Sequence, residues 1–153
     1  MKPLTNAQHR REKTEVNPSP KAQDKVARDI TILIIEDDLE LRFLLEKSLQ
    51  KGNYQTIGIT FYAEADPILT TTKVDLILLD IAEQDIDELQ LDQNLRIQYG
   101  IPMIMLSVHI PERAKACAKR LGADAYLTKP VRLADLYRII ENLSANRAYL
   151  EAP

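Results

Sequence analysis

Five short apolar runs, separated by segments of helical periodicity, organise the sequence from Ile30 onwards. The runs are rich in β-branched and aliphatic residues and read ITILII (30–35), YQTIGIT (54–60), VDLILL (74–79), IPMIML (101–106) and AYLTK (125–129). Strands that are apolar throughout are typical of a parallel sheet whose two faces are both covered by helices. The alternation therefore predicts a doubly wound α/β fold with five parallel strands.

The intervening segments differ in how well they suit a helix. Leu41, Leu44, Leu45, Ser48 and Leu49 lie near helical spacing in the first segment, which Gly52 closes. The segment 62–72 is a poor helix former, in which Asp66 could cap a short helix with Pro67 at its first position. The remaining segments predict helices at 87–100, 111–122 and 132–143.

One domain accounts for most of the chain. Residues 1–29 are polar, net positive and carry three of the eight prolines, so we expect a disordered basic tail before a domain at 30–143. We expect residues 144–153 to form a short C-terminal tail, too short for an output domain. The net charge of −3 argues weakly against nucleic-acid binding.

The sequence contains no recognisable targeting signal and one cysteine. With no secretory leader and no long apolar stretch, we expect a cytoplasmic chain without a membrane partner. The single cysteine, Cys117, excludes an internal disulfide and a multi-cysteine metal site, and its mid-helix place favours a packing role.

Polar residues follow the predicted strands where each strand ends. The carboxyl ends of parallel strands meet at one rim of a sheet, which is where α/β proteins bind ligands. The first strand ends in acids and the third in one acid, the fourth ends in a hydroxyl, and the fifth ends in an ammonium; these residues are Glu36, Asp37, Asp38, Asp80, Ser107 and Lys129.

Each residue has a simple structural explanation on its own. Asp37 and Glu40 have the spacing of a helix capping box, and Asp80 could cap a turn. Together, however, adjacent carboxylates repel one another, and one lysine cannot balance three of them. A hard divalent cation such as Mg²⁺ could, and with a hydroxyl and a lysine it would form a site for a phosphoryl group. A carboxylate in such a site can itself attack phosphorus.

Four segments resemble the receiver domain of two-component response regulators. They read ILIIEDDLELR, DLILLDI, PMIMLS and GADAYLTKP, in the family's order and spacing, within residues 30–143. The resemblance implies a flavodoxin-like strand order of 2-1-3-4-5. It also implies a signalling phosphoacceptor rather than an enzyme, limited to self-phosphorylation from a donor and self-dephosphorylation.

The resemblance assigns a role to each rim residue. Asp80 is the phosphoacceptor, and Mg²⁺ is held by Asp37 directly, by Glu36 mostly through water, by Asp80 and by the backbone carbonyl of Ala82. Ser107 and Lys129 contact the phosphoryl group, the Lys129–Pro130 peptide is usually cis, and Tyr126 is the aromatic switch that turns inward on activation.

The resemblance also implies partners. The phosphoryl group would come from a phosphohistidine on a sensor kinase or on a histidine phosphotransfer protein. A downstream protein would read the switch on the face formed by the helix at 111–122, the fifth strand and the last helix. With no output domain in view, we expect a stand-alone receiver in a phosphorelay.

Some residues depart from the family pattern. Gln84 and Glu88 stand where proline and glycine are common, and Val108 is bulkier than the usual small residue. Ala82 and His109 occupy positions that tune dephosphorylation. These departures leave open a second interpretation, a pseudo-receiver that acts as a protein-interaction module without phosphorylation. A phosphatase of the haloacid-dehalogenase type is disfavoured because position 82 is Ala, not an acid.

Overall fold

A computed structural model describes residues 29–80, 98–108 and 111–150 of the chain. Apart from the connection between the third and fourth strands, most of which lies outside these residues, strands and helices alternate as predicted. The elements are β1 (Thr31–Ile35), α1 (Leu39–Lys51), β2 (Gln55–Ile59), a 3₁₀ turn (Tyr62–Glu64), α2 (Ala65–Thr71), β3 (Leu76–Asp80), β4 (Met103–Ser107), α3 (Pro111–Leu121), β5 (Ala125–Thr128) and α4 (Leu133–Leu150).

The five strands form one parallel sheet in the order β2-β1-β3-β4-β5. The predicted doubly wound fold and its strand order are confirmed. From β1 the chain first adds β2 on one side and then β3 on the other. The carboxyl ends of β1 and β3 therefore lie side by side where the direction of strand addition changes. A binding site in such a sheet is expected at this reversal.

Successive side chains along each strand point to opposite faces of the sheet and form two separate cores, one on each face. The first core packs under α2 and α3 and includes Leu33, Ile35, Leu79, Met105 and Cys117. The second packs under α1 and α4 and includes Ile34, Leu45, Leu78, Leu106 and Leu136. This alternation places Cys117 in a buried packing position, as predicted, and explains why the central strands are apolar without interruption.

Helix α1 differs from the prediction at its start and on one face. Asp38, not Asp37, is the N-cap, because its Oδ1 accepts hydrogen bonds from the backbone N–H groups of Glu40 and Leu41 at 2.9 and 3.1 Å. Leu45 and Leu49 are buried, whereas Leu44 is 61% exposed. The predicted apolar face is therefore narrower than the leucine pattern indicated.

The end of α1 depends on two residues. Gly52 follows the helix but has φ −83°, and the left-handed residue is Asn53 with φ 65°. Gly52 is needed for space instead, since a Cβ there would lie 2.7 Å from Tyr137 Cε1. The predicted glycine stop thus acts by allowing α4 to approach α1 closely.

Helix α2 begins earlier than predicted. Glu64 is its N-cap residue, and Asp66 and Pro67 lie inside the first turn. The Glu64 carboxylate turns back to accept the backbone N–H groups of Thr60 and Phe61 at 3.0 and 3.1 Å. Asp66 instead accepts a short hydrogen bond from the Tyr99 hydroxyl. The prediction that Asp66 caps this helix is wrong.

Helix α4 is longer than predicted and reaches Leu150 instead of residue 143. The added segment contains alanine, arginine and leucine but no glycine or proline, so nothing in it stops a helix. Part of the predicted C-terminal tail at 144–153 is therefore helical. Helix α3 ends as predicted, with Gly122 at φ 69°.

Several predictions fall outside the described residues. They are the basic tail up to residue 28, most of the helix at 87–100, and the positions of Ala82, Gln84, Glu88 and His109. Gln98 and Tyr99 are helical and precede Gly100, which has φ 63°, as expected for the end of that helix. In the ranges 29–80, 98–108 and 111–150, no helix has the length and apolarity that crossing a membrane requires.

Candidate functional site

The carboxyl ends of the strands bring three of the predicted site residues into contact. Glu36 follows β1, Asp80 ends β3 and Lys129 follows β5. Glu36 and Asp80 continue the alternation that directs Ile34 and Leu78 toward the core under α1 and α4. The sheet geometry therefore turns both carboxylates to the same side.

Lys129 joins the two acids. Its Nζ makes a close ion pair with Asp80 Oδ2 and lies 3.8 Å from Glu36 Oε2. The backbone places it there, because the Lys129 N–H donates to the Ser107 carbonyl at 2.7 Å. The Lys129–Pro130 peptide is cis, as the resemblance implies. The result is one ammonium between two carboxylates.

Glu36 is buried to an unusual degree for an acid, with 2% of its surface exposed. Burial, and then the hydrogen bond and negative charge of Asp80, raise the pKa of Glu36 from 4.5 to about 8. The backbone N–H of Asp38, which donates to Glu36 Oε1 at 3.0 Å, and the charge of Lys129 oppose this rise. At neutral pH the pair therefore favours an additional proton or a cation.

The donor set fits a hard cation. Glu36 Oε2 and Asp80 Oδ2 are buried, and besides Lys129 and a proton that the two carboxyls can share, they receive no hydrogen bond from the part of the chain that the structure describes. Two carboxylate oxygens with spare acceptor capacity suit Mg²⁺, which typically takes one or two protein carboxylates. We therefore regard the residues as compatible with the ion.

Asp37 lies apart from this pair. Its side chain is exposed, consistent with the opposite alternation to Glu36. Among residues 29–80, 98–108 and 111–150, no three carboxylate, imidazole or thiol side chains are arranged to hold one metal ion. The structure thus brings Glu36 and Asp80 together without Asp37, and the carbonyl of Ala82 lies outside the described residues.

Ser107 and Tyr126 belong to the other face of the sheet. Ser107 ends β4 with 3% exposure, opposite Thr128 of β5. Tyr126 pairs with Met105 and packs half-buried against the core under α2 and α3. Val108, next to Ser107, is 67% exposed, so most of its side chain lies in solvent.

Arg42, for which the sequence predicted no role, is the side chain that ties α1 to the acidic loop. Its Nη1 donates to the Glu36 carbonyl at 3.2 Å and to Thr60 Oγ1 at 2.8 Å. Arg42 lies one turn after the Asp38 cap, in a leucine-rich helix where a basic residue is expected to be solvated. Its sequence signals are this position beside the acids and its place at the end of the segment ILIIEDDLELR, and neither distinguishes a contact from a solvated charge.

Comparison with known proteins identifies relatives of this chain. Regulatory protein VanR of Enterococcus faecium is 33% identical over 105 residues, covering 69% of this chain and 46% of VanR. Transcriptional regulatory protein GlrR of Escherichia coli K12 is 31% identical over 112 residues, covering 72% of this chain and 25% of GlrR. The chain therefore spans between a quarter and about half the length of these curated relatives.

The fold and the sequence family agree. A solved two-component response regulator from Clostridium difficile superposes with a TM-score of 0.67 and 26% identity, covering 75% of this chain and 95% of that chain. Residues 32–141 match the family described as the response regulator receiver domain. Since this match takes in all five strands together with the Glu36, Asp80 and Lys129 rim, the chain belongs to the response regulator receiver domain family.

Proposed function

We propose that this receiver accepts a phosphoryl group on Asp80 in the presence of Mg²⁺. The observation that carries the proposal is the Glu36–Asp80 pair with Lys129 between its carboxylates at the rim of the sheet. Glu36 and Asp80 would hold the ion, and the resemblance adds two further ligands: Asp37, whose exposed side chain would have to turn toward the pair, and the backbone carbonyl of Ala82. When bound, Mg²⁺ supplies positive charge that offsets the charge of the phosphoryl oxygens.

Asp80 is the nucleophile in this proposal. A carboxylate oxygen forms the new P–O bond while the P–N bond of a phosphohistidine donor breaks, and the imidazole leaves with the electron pair. Lys129 already contacts Asp80 and lies within reach of oxygens bound there. Ser107 ends the neighbouring strand on the other face of the sheet, so its buried hydroxyl would have to turn toward the rim to donate to a phosphoryl oxygen.

The signal would pass to a protein partner. Ser107 and Tyr126 share one face of the sheet, next to α3, so an altered position of Ser107 is transmitted toward the surface of α3, β5 and α4. A sensor kinase or a histidine phosphotransfer protein is the proposed donor. That the receiver acts alone in a phosphorelay, and without nucleic acid, stays a prediction. The longer relative GlrR is named as a transcriptional regulatory protein.

A direct test is phosphorylation by acetyl phosphate with MgCl₂. We expect the wild-type chain to gain one phosphoryl group, measured by mass spectrometry of the intact protein, and Asp80→Asn to gain none because an amide is not a nucleophile here. Asp135→Asn, an exposed acid on α4 that pairs with Arg138, is the control and should label like wild type. Equal labelling of Asp80→Asn would refute the assignment.

The alternative is a pseudo-receiver that binds partners without phosphorylation. The departures at Gln84, Glu88 and Val108 favour it, since they alter the surroundings of the acceptor in the family pattern. Beryllofluoride stands in for the phosphoryl group, so its titration with Mg²⁺ separates the two functions. We expect saturable changes in amide NMR signals around Asp80 and Ser107; an unchanged spectrum would favour the pseudo-receiver.

A further inference from the structure

We propose that Arg42 is a positioning residue that holds the acidic loop between β1 and α1 in the geometry needed for Mg²⁺. This inference rests on the proposed function, because it concerns the loop that carries Glu36 and Asp37. Arg42 does not touch the reacting atoms. It acts through the backbone of Glu36.

The contacts of Arg42 connect three elements at the rim. From α1, its Nη1 reaches the Glu36 carbonyl at the end of β1 and Thr60 Oγ1 just after β2. The Glu36 N–H donates to the Ile59 carbonyl at 3.1 Å. Both backbone polar groups of Glu36 are thus tied to fixed partners, which limits the directions its side chain can take.

Gly58 provides the space for this arrangement. It pairs with Ile34 in the sheet, and a Cβ at Gly58 would lie 3.0 Å from Arg42 Cδ and 1.8 Å from Glu46 Oε1. The Arg42 and Glu46 side chains therefore cross directly over β2 where a side chain would otherwise stand. This close approach allows a helix residue to reach the rim.

Asp38 fixes the end of the loop that leads into α1. The Asp38 N–H donates to Glu36 Oε1, and the Asp38 carboxylate caps α1. With Arg42 on the Glu36 carbonyl, the short connection from β1 to α1 is held at both ends. Partners that orient metal ligands in this way contribute to metal affinity without binding the ion.

The charge of Arg42 and its proposed positioning of the loop have opposite effects on the affinity for Mg²⁺. A guanidinium near two carboxylates repels a cation, so removal of the charge alone would tighten Mg²⁺ binding. Loss of positioning would weaken it. The sign of the change in dissociation constant therefore distinguishes the two effects.

The experiment compares four variants with the wild-type chain by calorimetric titration of MgCl₂. Arg42→Ala removes both hydrogen bonds, and Thr60→Val removes one. Arg42→Lys can keep both, because both bonds leave from one nitrogen and an ammonium has three donors. Thr56→Val is the matched control, since Thr56 also accepts a hydrogen bond from α1, at 2.8 Å from Gln50, but lies in β2 opposite Ile32, four residues before Glu36.

We expect Arg42→Ala to weaken Mg²⁺ binding about 10-fold, within the range seen for partners of metal ligands. Thr60→Val should weaken it less, and Arg42→Lys and Thr56→Val should bind like wild type. Urea unfolding in EDTA measures stability separately, so a general loss of folding is recognised. Wild-type-like or tighter binding by Arg42→Ala overturns the positioning role, whereas failure of the wild-type chain to bind Mg²⁺ would instead refute the proposed function.

Discussion

Glu36 links the stability of the fold to pH. It is a buried acid beside a second acid, and Lys129 pairs with both. Its raised pKa, about 8, means that the folded chain binds a proton that the unfolded chain has released above pH 4.5. Protonation of Glu36 is therefore linked to folding.

This linkage predicts a pH dependence of stability in EDTA. Between pH 4.5 and about 8 the folded chain binds more protons than the unfolded chain, so the contribution of Glu36 to the free energy of unfolding falls as pH rises. Glu36→Gln does not titrate and resembles the protonated acid. We expect the variant to become more stable than wild type by about 1–3 kcal/mol between pH 5 and 9, measured by urea unfolding.

The control for this prediction is Glu112→Gln, which changes an exposed acid on α3. The difference in free energy of unfolding between Glu112→Gln and wild type should stay constant over the same pH range. Parallel curves for Glu36→Gln and wild type would contradict the linkage.

At the residue scale, the sequence predicted the rim but not its internal contacts. Strand ends are marked by where apolar runs stop, so the positions of these stops are enough to place Glu36, Asp80 and Lys129 near one another. Whether Asp37 or Asp38 caps α1 depends on one backbone torsion, which sequence spacing does not specify. The role of Arg42 depends on a glycine in another element.

At the element scale, the junction of α1 and α4 depends on Gly52. The Tyr137 ring lies against this glycine, stacks on Tyr54 with centroids 6.1 Å apart, and its hydroxyl donates to the Ser48 carbonyl. A side chain at Gly52 would push the ring away from both partners. The two helices are therefore fitted to each other at this point.

We expect Gly52→Ala to lower the free energy of unfolding by about 1–3 kcal/mol, as overpacking usually does. The loss should be less than half as large in a Tyr137→Leu background, because leucine lacks the ring atom that a Cβ would meet. Gly100→Ala is the comparison: with φ 63° and open space around it, its cost is backbone strain of about 1–2 kcal/mol and should not depend on residue 137. Additive effects at Gly52 and Tyr137 would contradict the proposed contact.

Element ends were the least predictable part of the fold. Helix α4 continues past residue 143 since good helix formers follow without a stop signal, and α2 begins before Asp66 because the Glu64 carboxylate fixes the preceding turn. Both helix ends depend on small differences in helix propensity and capping between neighbouring residues. Strand positions were more predictable, because burial on both faces requires continuous apolar runs.

At the scale of the whole molecule, two cores share one sheet. Leu78 and Leu79 are neighbours in β3, yet Leu78 belongs to the core under α1 and α4 and Leu79 to the core under α2 and α3. Strands hydrogen-bonded into one sheet cannot lose one core and keep the other. We therefore expect a single cooperative transition.

Leu78→Ala and Leu79→Ala should each lower the free energy of unfolding by about 2–5 kcal/mol. In urea, far-ultraviolet circular dichroism and tyrosine fluorescence should give coincident transitions for both variants. Leu44→Ala, at a leucine that is 61% exposed, is the control and should change stability by less than about 0.5 kcal/mol. Separate transitions in either core variant would show that the two faces fold independently.

The whole fold could be predicted because its determinants are repeated along the chain. Five apolar runs and the helical segments between them specify a parallel sheet, and the parallel sheet brings its strand ends to one rim. The paired arrangement of Glu36 and Asp80 without Asp37 was not predictable in this way, since it depends on which face each residue takes at the last position of a strand.

The acid pair at the rim also affects how long the polypeptide survives among proteases. A protease cleaves transiently opened molecules, whose population follows the free energy of unfolding when reclosure is fast. The Glu36–Asp80 pair, with one lysine, lowers that free energy until a proton or a cation joins it, and a bound ion shifts the equilibrium back to the closed chain. If the proposed Mg²⁺ binds at this pair, turnover of the protein in a cell would depend on whether the site is occupied.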